Sequence, residues 1–230
     1  MVSIHHLFVP VCGLALILAS PGATAAERLY ADDFVNLDNW RPEIERPGSV
    51  EARGGVLSID VPAGCTLWFK HQLTGPVSIE YEAKMIQAGG PNDRVSDLNC
   101  FWMATDARSP QDLFATRRSG RFSDYDRLLT YYVGQGGNAN TTTRFRRYIG
   151  KQDLRPLLPE HDLKAPQFLL RPNVAQTIQL IADGSRIQYL RDSKRIFDFH
   201  DTAPYTRGYF GFRTTQSHVE LRHFRVTRLR

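Results

Sequence analysis

The sequence predicts an all-β protein, an antiparallel two-sheet jelly-roll sandwich, and three observations favour this class. Short stretches alternate between apolar and polar residues, as strands with one buried face do. Turn-forming pairs such as Gly54-Gly55, Gly75-Pro76 and Asp183-Gly184 separate these stretches. From residue 27 onward, no apolar pattern of helical period lasts longer than one turn. A chain of 230 residues suits a single domain of this kind.

The first segment is typical of a secretory signal peptide. Residues 1–26 contain no Lys, Arg, Asp or Glu, and an apolar run at 14–19 is followed by Ala23-Thr24-Ala25. We therefore expect residues 1–25 to be a signal peptide and residues 26–230 to be one domain, periplasmic or secreted. The segment departs from the usual pattern in carrying His5-His6 where Lys or Arg is common. The apolar run is shorter than the ~20 residues of a membrane span, so no stable span is expected after cleavage.

The alternating stretches place the strands in order. Pro62 closes the second of them, and the last one changes parity between Leu221 and Phe224, which predicts a β-bulge near Arg222-His223. The first strand is expected to pair with the last. The predicted strands are 29–34, 56–61, 65–70, 77–85, 99–105, 128–133, 142–149, 176–182, 186–190, 196–199, 209–214 and 218–229.

Two long segments lack a strand pattern. Residues 106–127, which we call the excursion, are polar and include Pro110 and Gly120. A loop of this length inside a compact domain is usually functional. Residues 153–172 are rich in Leu and Pro and are expected to form an irregular crossover.

A cationic strand follows the Gly- and Asn-rich turn after residue 133. Because side chains alternate across a strand, Thr142, Arg144, Arg146 and Tyr148 would share one face. Such a row suits successive units of an acidic polymer. The alternative is a solvated outer face whose arginines only keep the protein soluble.

The net charge of the chain indicates which class of partner it is expected to bind. The chain has 29 basic and 24 acidic residues, a net charge of +5, which favours acidic partners. No recognition helix, RNP-like strand or zinc-ligand spacing indicates nucleic acid, so an anionic polysaccharide fits better. No cofactor and no metal ligand is predicted; the loop with Asp93, Asp97 and Asn99 could supply oxygen ligands to a structural Ca²⁺, but it lacks the EF-hand order. Cys65 and Cys100 are either a disulfide or two buried thiols.

A family resemblance adds to this picture. The chain resembles the concanavalin-like jelly rolls through Asp32-Asp33-Phe34, Trp40, Asp183-Gly184 and Phe224-Arg225-Val226. It resembles the YesU-like family within that class through the following stretches: Asp112-Leu113-Phe114, Gly120, Tyr125, Leu129 to Tyr131, and Phe145-Arg146-Arg147. That resemblance implies an acidic, pectin- or rhamnogalacturonan-like substrate, but no catalytic residues. The export signal and the longer Asn/Thr-rich turn depart from the family.

Candidate chemistry follows from the cationic strand. Arg144 and Arg146 would bind a uronate carboxylate, and Tyr148, Tyr131 or His218 would act as general acid or base. We expect the other binding residues to be Trp102, Arg213 and Asn140. The sequence thus favours a polysaccharide lyase or a glycoside hydrolase, with a non-catalytic carbohydrate-binding module and a structural envelope protein as alternatives.

Overall fold

The computed structural model describes residues 1–2 and 26–230 and confirms the all-β prediction for them. The predicted signal peptide lies outside the described residues, apart from its first two, and stays a prediction. The strands are β1 (Arg28–Asp32), β2 (Trp40–Ile44), β3 (Ser49–Arg53), β4 (Val56–Phe69), β5 (Leu73–Thr74), β6 (Val77–Met85), β7 (Leu98–Asp106), β8 (Leu128–Gly136), β9 (Thr142–Ile149), β10 (Asp162–Leu163), β11 (Gln176–Asp183), β12 (Arg186–Arg191), β13 (Lys194–His200) and β14 (Arg207–Arg228).

Helical structure in the described residues is limited to single turns. Short 3-10 helices cover Leu113–Ala115, Phe122–Tyr125, Pro159–His161 and Pro166–Phe168. The four residues Gly137–Asn140 form the turn between β8 and β9, with Asn138 and Ala139 in the left-handed region. No described helix has the length and apolar character needed to cross a bilayer.

Two long strands, β4 and β14, hold the fold together because each runs through both layers of the sandwich. The first half of β14 pairs with β7 and the second half of β4, and its second half pairs with β6, β1 and the first half of β4. The front layer contains β10, β9, β8, β7, the first half of β14, the second half of β4, and β2. The back layer contains β13, β12, β11, β6, the remaining halves of β14 and β4, β1 and β3. Every pairing is antiparallel.

The length of β4 corrects the prediction that Pro62 ends a strand. Proline has no N–H to give to a neighbouring strand, so a paired position would leave a gap in the ladder. In β4, β3 pairs with residues 56–60 and β2 with residues 65–69. Pro62 falls between these two partners, and the strand continues through it. The predicted strands 209–214 and 218–229 likewise belong to one strand, β14, with a register shift between Thr215 and Ser217.

Apolar side chains at alternate positions of the strands fill the core between the layers. The predicted inward face of β6, from Val77 through Met85 at every second residue, is at most 1% exposed. Across the core, Phe145 of the front layer contacts Phe197 and Phe199 of the back layer. The predicted bulge near Arg222-His223 is confirmed, since the register of β14 against β6 shifts there. That shift lets Leu221 and Phe224 both point into the core.

The two cysteines within residues 26–230 are buried free thiols. Cys65 and Cys100 lie on β4 and β7, on either side of β14, where they pair with Thr214 and Phe212. Two strand spacings amount to roughly 9–10 Å, beyond the Cα separation of about 7 Å that a disulfide spans. Burial raises the pKa of each thiol to about 12, so the reactive thiolate is scarce at neutral pH.

We therefore expect Cys65 and Cys100 to resist alkylation in the native protein and to react fully in denaturant without any reductant. Iodoacetamide labelling followed by mass spectrometry of the two peptides measures this. A Cys65–Cys100 disulfide peptide in the unreduced digest would contradict the strand order given above.

Candidate functional site

The face of the front layer that points away from the core, which we call the front face, carries most of the polar chemistry. Its parity follows from strand alternation: residues of β9 with even numbers point to it, while Phe145 points into the core. The predicted row of Thr142, Arg144, Arg146 and Tyr148 therefore does share one face. The other strands contribute Glu43, Trp68, Asn99, Phe101, Tyr132 and Arg213.

The excursion lies across the front face, and a buried carboxylate fastens it there. Glu43 of β2 accepts hydrogen bonds from Trp68 Nε1 at 2.9 Å and from the Tyr125 hydroxyl at 2.8 Å. Arg118 of the excursion forms an ion pair with Glu43 at 2.9 Å and another with Asp106 at 3.1 Å. All of these side chains are buried, so removing one partner would leave a charge unpaired in the interior.

Aromatic rings from both the sheet and the excursion pack beneath this network. Phe101 contacts Trp68, Tyr125, Tyr132 and Tyr148 within 5.0–6.1 Å between ring centroids. Tyr148 points to the front face as predicted, but the rings packed over it bury its side chain fully. Its hydroxyl has no partner among the described residues, and burial raises its pKa. A protonated, covered phenol cannot remove a proton from a substrate, so the placement does not suit Tyr148 as a base.

Beside the excursion, the front face opens into a groove made of two adjoining pockets of about 180 and 120 Å³. Both pockets are lined by Asp97, Phe122 and Tyr132. The larger pocket also includes Arg144, Arg146 and Arg155, and the smaller one Glu45, Asn99 and Arg213. The groove thus joins aromatic rings to several guanidinium groups.

Only two of these guanidinium groups lack a carboxylate partner among the described residues. Arg144 binds both oxygens of Asp162, at 2.7 and 3.3 Å, and Arg155 binds Asp126 at 2.8 Å. Arg146 instead donates to the backbone carbonyl of Arg155. The uncompensated cations of the groove are therefore Arg146 and Arg213, and the expected bidentate role of Arg144 is already filled by Asp162.

Arg213 is held in place by neutral groups. Its Nη1 donates to Thr66 Oγ1 at 2.8 Å and to the Gly120 carbonyl at 3.1 Å. The guanidinium also lies over the rings of Phe122 and Tyr125 at 4.8 and 4.7 Å. Neighbouring Asn99 is buried, and its Oδ1 has no partner in the described part of the chain. Arg213 and Asn99 are each 4% exposed, so they form the inner lining of the pocket, and a polar ligand that enters it would meet a fixed cation beside an unsatisfied amide.

Two carboxylates border the same pocket. Asp97 is bound by Arg94 and by Ser96 Oγ at 2.9 Å, and Glu45 by the Gly64 amide at 3.1 Å and Arg121 at 3.4 Å. Asp97 keeps 15% and Glu45 26% of its side chain exposed. Both can therefore be reached from the groove.

Two predicted site residues point the opposite way, into the core. Trp102 and Tyr131 are fully buried between the layers, where their rings lie 5.5 Å apart. The Tyr131 hydroxyl donates to Asp201 Oδ2 at 2.7 Å and accepts from the Tyr205 amide at 3.0 Å. The expected binding role of Trp102 and acid–base role of Tyr131 are therefore wrong, because both residues have core parity and neither can contact a ligand in the groove.

His218 lies on the outer face of the back layer, so its expected place beside the arginines is also wrong. Its Nε2 is 3.1 Å from Ser58 Oγ, and its Nδ1 is 3.3 Å from Asp93 Oδ1. Amides of Ala88 and Gly90 donate to Asp93 and, together with His218, lower its pKa. This chain of contacts attaches the loop after β6 to the back layer.

Asn140 and the acidic residues of the loop considered for calcium form hydrogen bonds and ion pairs within the protein. Asn140 exchanges two hydrogen bonds with the backbone of Leu170, at 2.9 and 3.0 Å, and so fixes the crossover to the turn. The Asp93 and Asp97 carboxylates are bound by protein donors, as described above. Within residues 26–230, no group of three or more His, Cys, Asp or Glu side chains is placed to hold a metal ion.

Four residues of the groove were not predicted as ligand-binding residues from the sequence: Tyr132, Phe122, Asp97 and Asn99. Tyr132 could be found from the hairpin register, because it pairs with Arg146 and cross-strand partners share a face. That register depends on an extra residue near the turn: two residues lie between Gly134 and Gly137, but only one lies between their partners Arg144 and Thr142. Nothing local in the sequence indicates Phe122, which the excursion brings over the groove.

Comparisons with known proteins agree with the fold. The family described as "Domain of unknown function (DUF6250)" matches residues 59–224. No curated protein matches the sequence.

Solved structures with the same jelly-roll architecture include a protein of unknown function with a galectin-like fold from Bacillus subtilis, with a TM-score of 0.68 and 17% identity over 88% of this chain and 96% of that one. The carbohydrate-binding module CBM66 from Bacillus subtilis has a TM-score of 0.55 and 10% identity over 84% and 97%. Endo-β-1,3-glucanase from Pyrococcus furiosus has a TM-score of 0.54 and 11% identity over 87% of this chain and 94% of that one. At these identities the likeness concerns the fold.

Replacing Tyr131 by Phe should lower the free energy of unfolding by about 1–2 kcal/mol, because Asp201 and the Tyr205 amide each lose a buried partner. Tyr132→Phe is the matched control on the same strand: its hydroxyl has no hydrogen-bond partner among the described residues, so its stability should change little. Chemical denaturation of both variants at neutral pH measures this.

The cost of Tyr131→Phe should also shrink in acid. Burial alone would raise the pKa of Asp201, but donors from Arg147, Tyr131 and the Ala203 amide outweigh it and lower the pKa. Ionised Asp201 therefore stabilises the fold above about pH 4, and this contribution is lost as the pH falls through its lowered folded pKa. Equal stability of Tyr131→Phe and the parent at neutral pH would contradict the structural role.

Proposed function

Given that the chain belongs to the DUF6250 family, we propose that it binds an acidic polysaccharide in the groove of its front face. The observation that carries this proposal is the pair Arg146 and Arg213, whose guanidinium groups lack a carboxylate partner in the described chain and border one aromatic groove. A uronate carboxylate can accept charge-assisted hydrogen bonds from such groups. The half-buried ring of Phe122 offers a surface to the sugar, and Tyr132, which is 5% exposed, lines the same groove.

The overall charge and the resemblance noted from the sequence support the same class of ligand. A net charge of +5 favours a polyanion, and the YesU-like resemblance suggests pectin or rhamnogalacturonan as the first ligands to test. With a cleaved signal peptide the protein would meet such polymers in the periplasm or outside the cell. Fold relatives that are named as a carbohydrate-binding module and a glucanase fit a carbohydrate ligand.

Glycoside hydrolysis is the second candidate, because Asp97 and Glu45 border the same pocket. Hydrolases of this kind use two carboxyl groups, one as acid and the other as base or nucleophile. A lyase has less support, since it needs a group that removes a proton. No described histidine lines the groove, and Tyr148 is covered and protonated.

Binding should depend on Arg146 and on salt. Arg146→Ala is expected to weaken polygalacturonate or rhamnogalacturonan binding about tenfold or more, because a hydrogen bond to a charged group is lost. Raising the ionic strength should weaken the parent's binding, because salt screens the attraction. Isothermal titration calorimetry measures both effects.

Two controls separate the groove from the rest of the surface. Arg225→Ala removes the same charge from the back layer, where Arg225 pairs with Glu80, and should bind normally. His218→Gln, also on the back layer, should bind normally as well. If Arg225→Ala weakens binding as much as Arg146→Ala does, the arginine groove is only part of a general positive surface.

If the groove also hydrolyses its ligand, reducing ends should accumulate without absorbance from an unsaturated uronate. Asp97→Asn and Glu45→Gln should each then lower the rate by about 10² or more while binding persists. The assay records reducing ends and ultraviolet absorbance together on the parent and both variants. Binding without either signal would leave the protein as a binding module, and absorbance would instead indicate a lyase.

A further inference from the structure

A larger cavity, of about 850 Å³, opens on the other side of the excursion, along the edge strand β2. Five arginines line it: Arg41, Arg108, Arg117, Arg118 and Arg121. The acidic residues of its lining are three, namely Glu43, Glu45 and Asp124. The cavity is therefore cationic overall, and an anion would be attracted to it.

Ion pairing leaves two of these arginines uncompensated. Arg118 is buried between Glu43 and Asp106, and Arg108 binds Asp106 at 2.7 Å. Arg41 and Arg117, in contrast, have no carboxylate partner among the described residues, and both are exposed. The guanidinium of Arg41 lies 5.0 Å from the ring centre of Phe114. As in the groove, two guanidinium groups lack a carboxylate partner among the described residues, but here no described aromatic residue lines the cavity.

The cavity and the groove are neighbours. Glu45 borders both, and its carboxylate is bound by Arg121 on the cavity side and by the Gly64 amide. The short segment 119–121 also contacts both sites. Ser119 and Arg121 line the cavity, and the Gly120 carbonyl accepts a hydrogen bond from Arg213 of the groove. An extended chain that leaves the groove past Glu45 would reach the cavity directly.

We propose that this cavity is a second anion subsite, which binds a further carboxylate-bearing unit of the polysaccharide held in the groove. The inference rests on the proposed function and adds to it a preference for longer chains. A single polymer with a charge on every unit can meet Arg146 and Arg213 with one part, and Arg41 and Arg117 with another. Binding at two linked subsites makes the second contact intramolecular, which raises the overall affinity.

The test compares two lengths of one ligand, trigalacturonate and decagalacturonate, by isothermal titration calorimetry. Arg41→Ala/Arg117→Ala should weaken binding of the decamer about tenfold and of the trimer less than twofold, because only the longer chain reaches the cavity. Arg195→Ala/Arg225→Ala, which removes the same charge from two exposed back-layer arginines, should change neither affinity by more than twofold. Arg146→Ala should weaken both oligomers. Circular dichroism and thermal unfolding confirm that each variant is folded.

The possible results test the second subsite and the groove separately. If Arg41→Ala/Arg117→Ala binds the decamer as tightly as the parent while Arg146→Ala weakens both oligomers, the groove stands and the second subsite is overturned. Equal weakening of trimer and decamer by Arg41→Ala/Arg117→Ala would also overturn it, since the effect would not depend on chain length. Failure of the parent to bind either oligomer would overturn the proposed function, and the subsite with it.

Discussion

The front face depends on the buried carboxylate of Glu43. It accepts hydrogen bonds from Trp68 of the sheet and Tyr125 of the excursion, and it forms an ion pair with Arg118. A buried carboxylate is costly unless donors satisfy it, so the four side chains have to stay together. Through this one group the polar excursion is attached to a hydrophobic sheet. Asp106, at the end of β7, completes the attachment by binding Arg118 from the other side.

The position of the excursion determines what the front face can bind. It covers Trp68, Phe101 and Tyr148, and so removes the middle of the face from solvent. On one side it leaves the groove with Arg146 and Arg213, and on the other the arginine-lined cavity. Phe122, which the excursion supplies, borders the groove and stacks with Arg213. The long irregular segment therefore shapes the binding surface, while the sheet supplies its cations.

Patterns of period two predict much of the fold, because burial repeats along a strand wherever one face is packed. They correctly placed Val77 to Met85, the hairpin at Asp183-Gly184 and the bulge near Arg222-His223. They failed where tertiary pairing decides the outcome: Pro62 is tolerated where it falls between β2 and β3 on one side of β4 and opposite the register shift of β14 on the other, which no local pattern shows. The site was harder to predict. Parity along one strand placed Arg144 and Arg146 on the front face. It could not show that Asp162, from a distant crossover, pairs with Arg144. Recognising that Tyr132, and not Tyr131, shares that face requires the hairpin register.

An acidic glycan is proposed to lie in the groove beside the excursion. A crystal structure of the protein with trigalacturonate bound tests it most directly. We expect a sugar carboxylate within hydrogen-bonding distance of Arg146 or Arg213, with a sugar ring against Phe122 or Tyr132 and the hydrogen bonds of Glu43 unchanged. A trisaccharide bound on the back layer, with the groove holding only solvent, would contradict it.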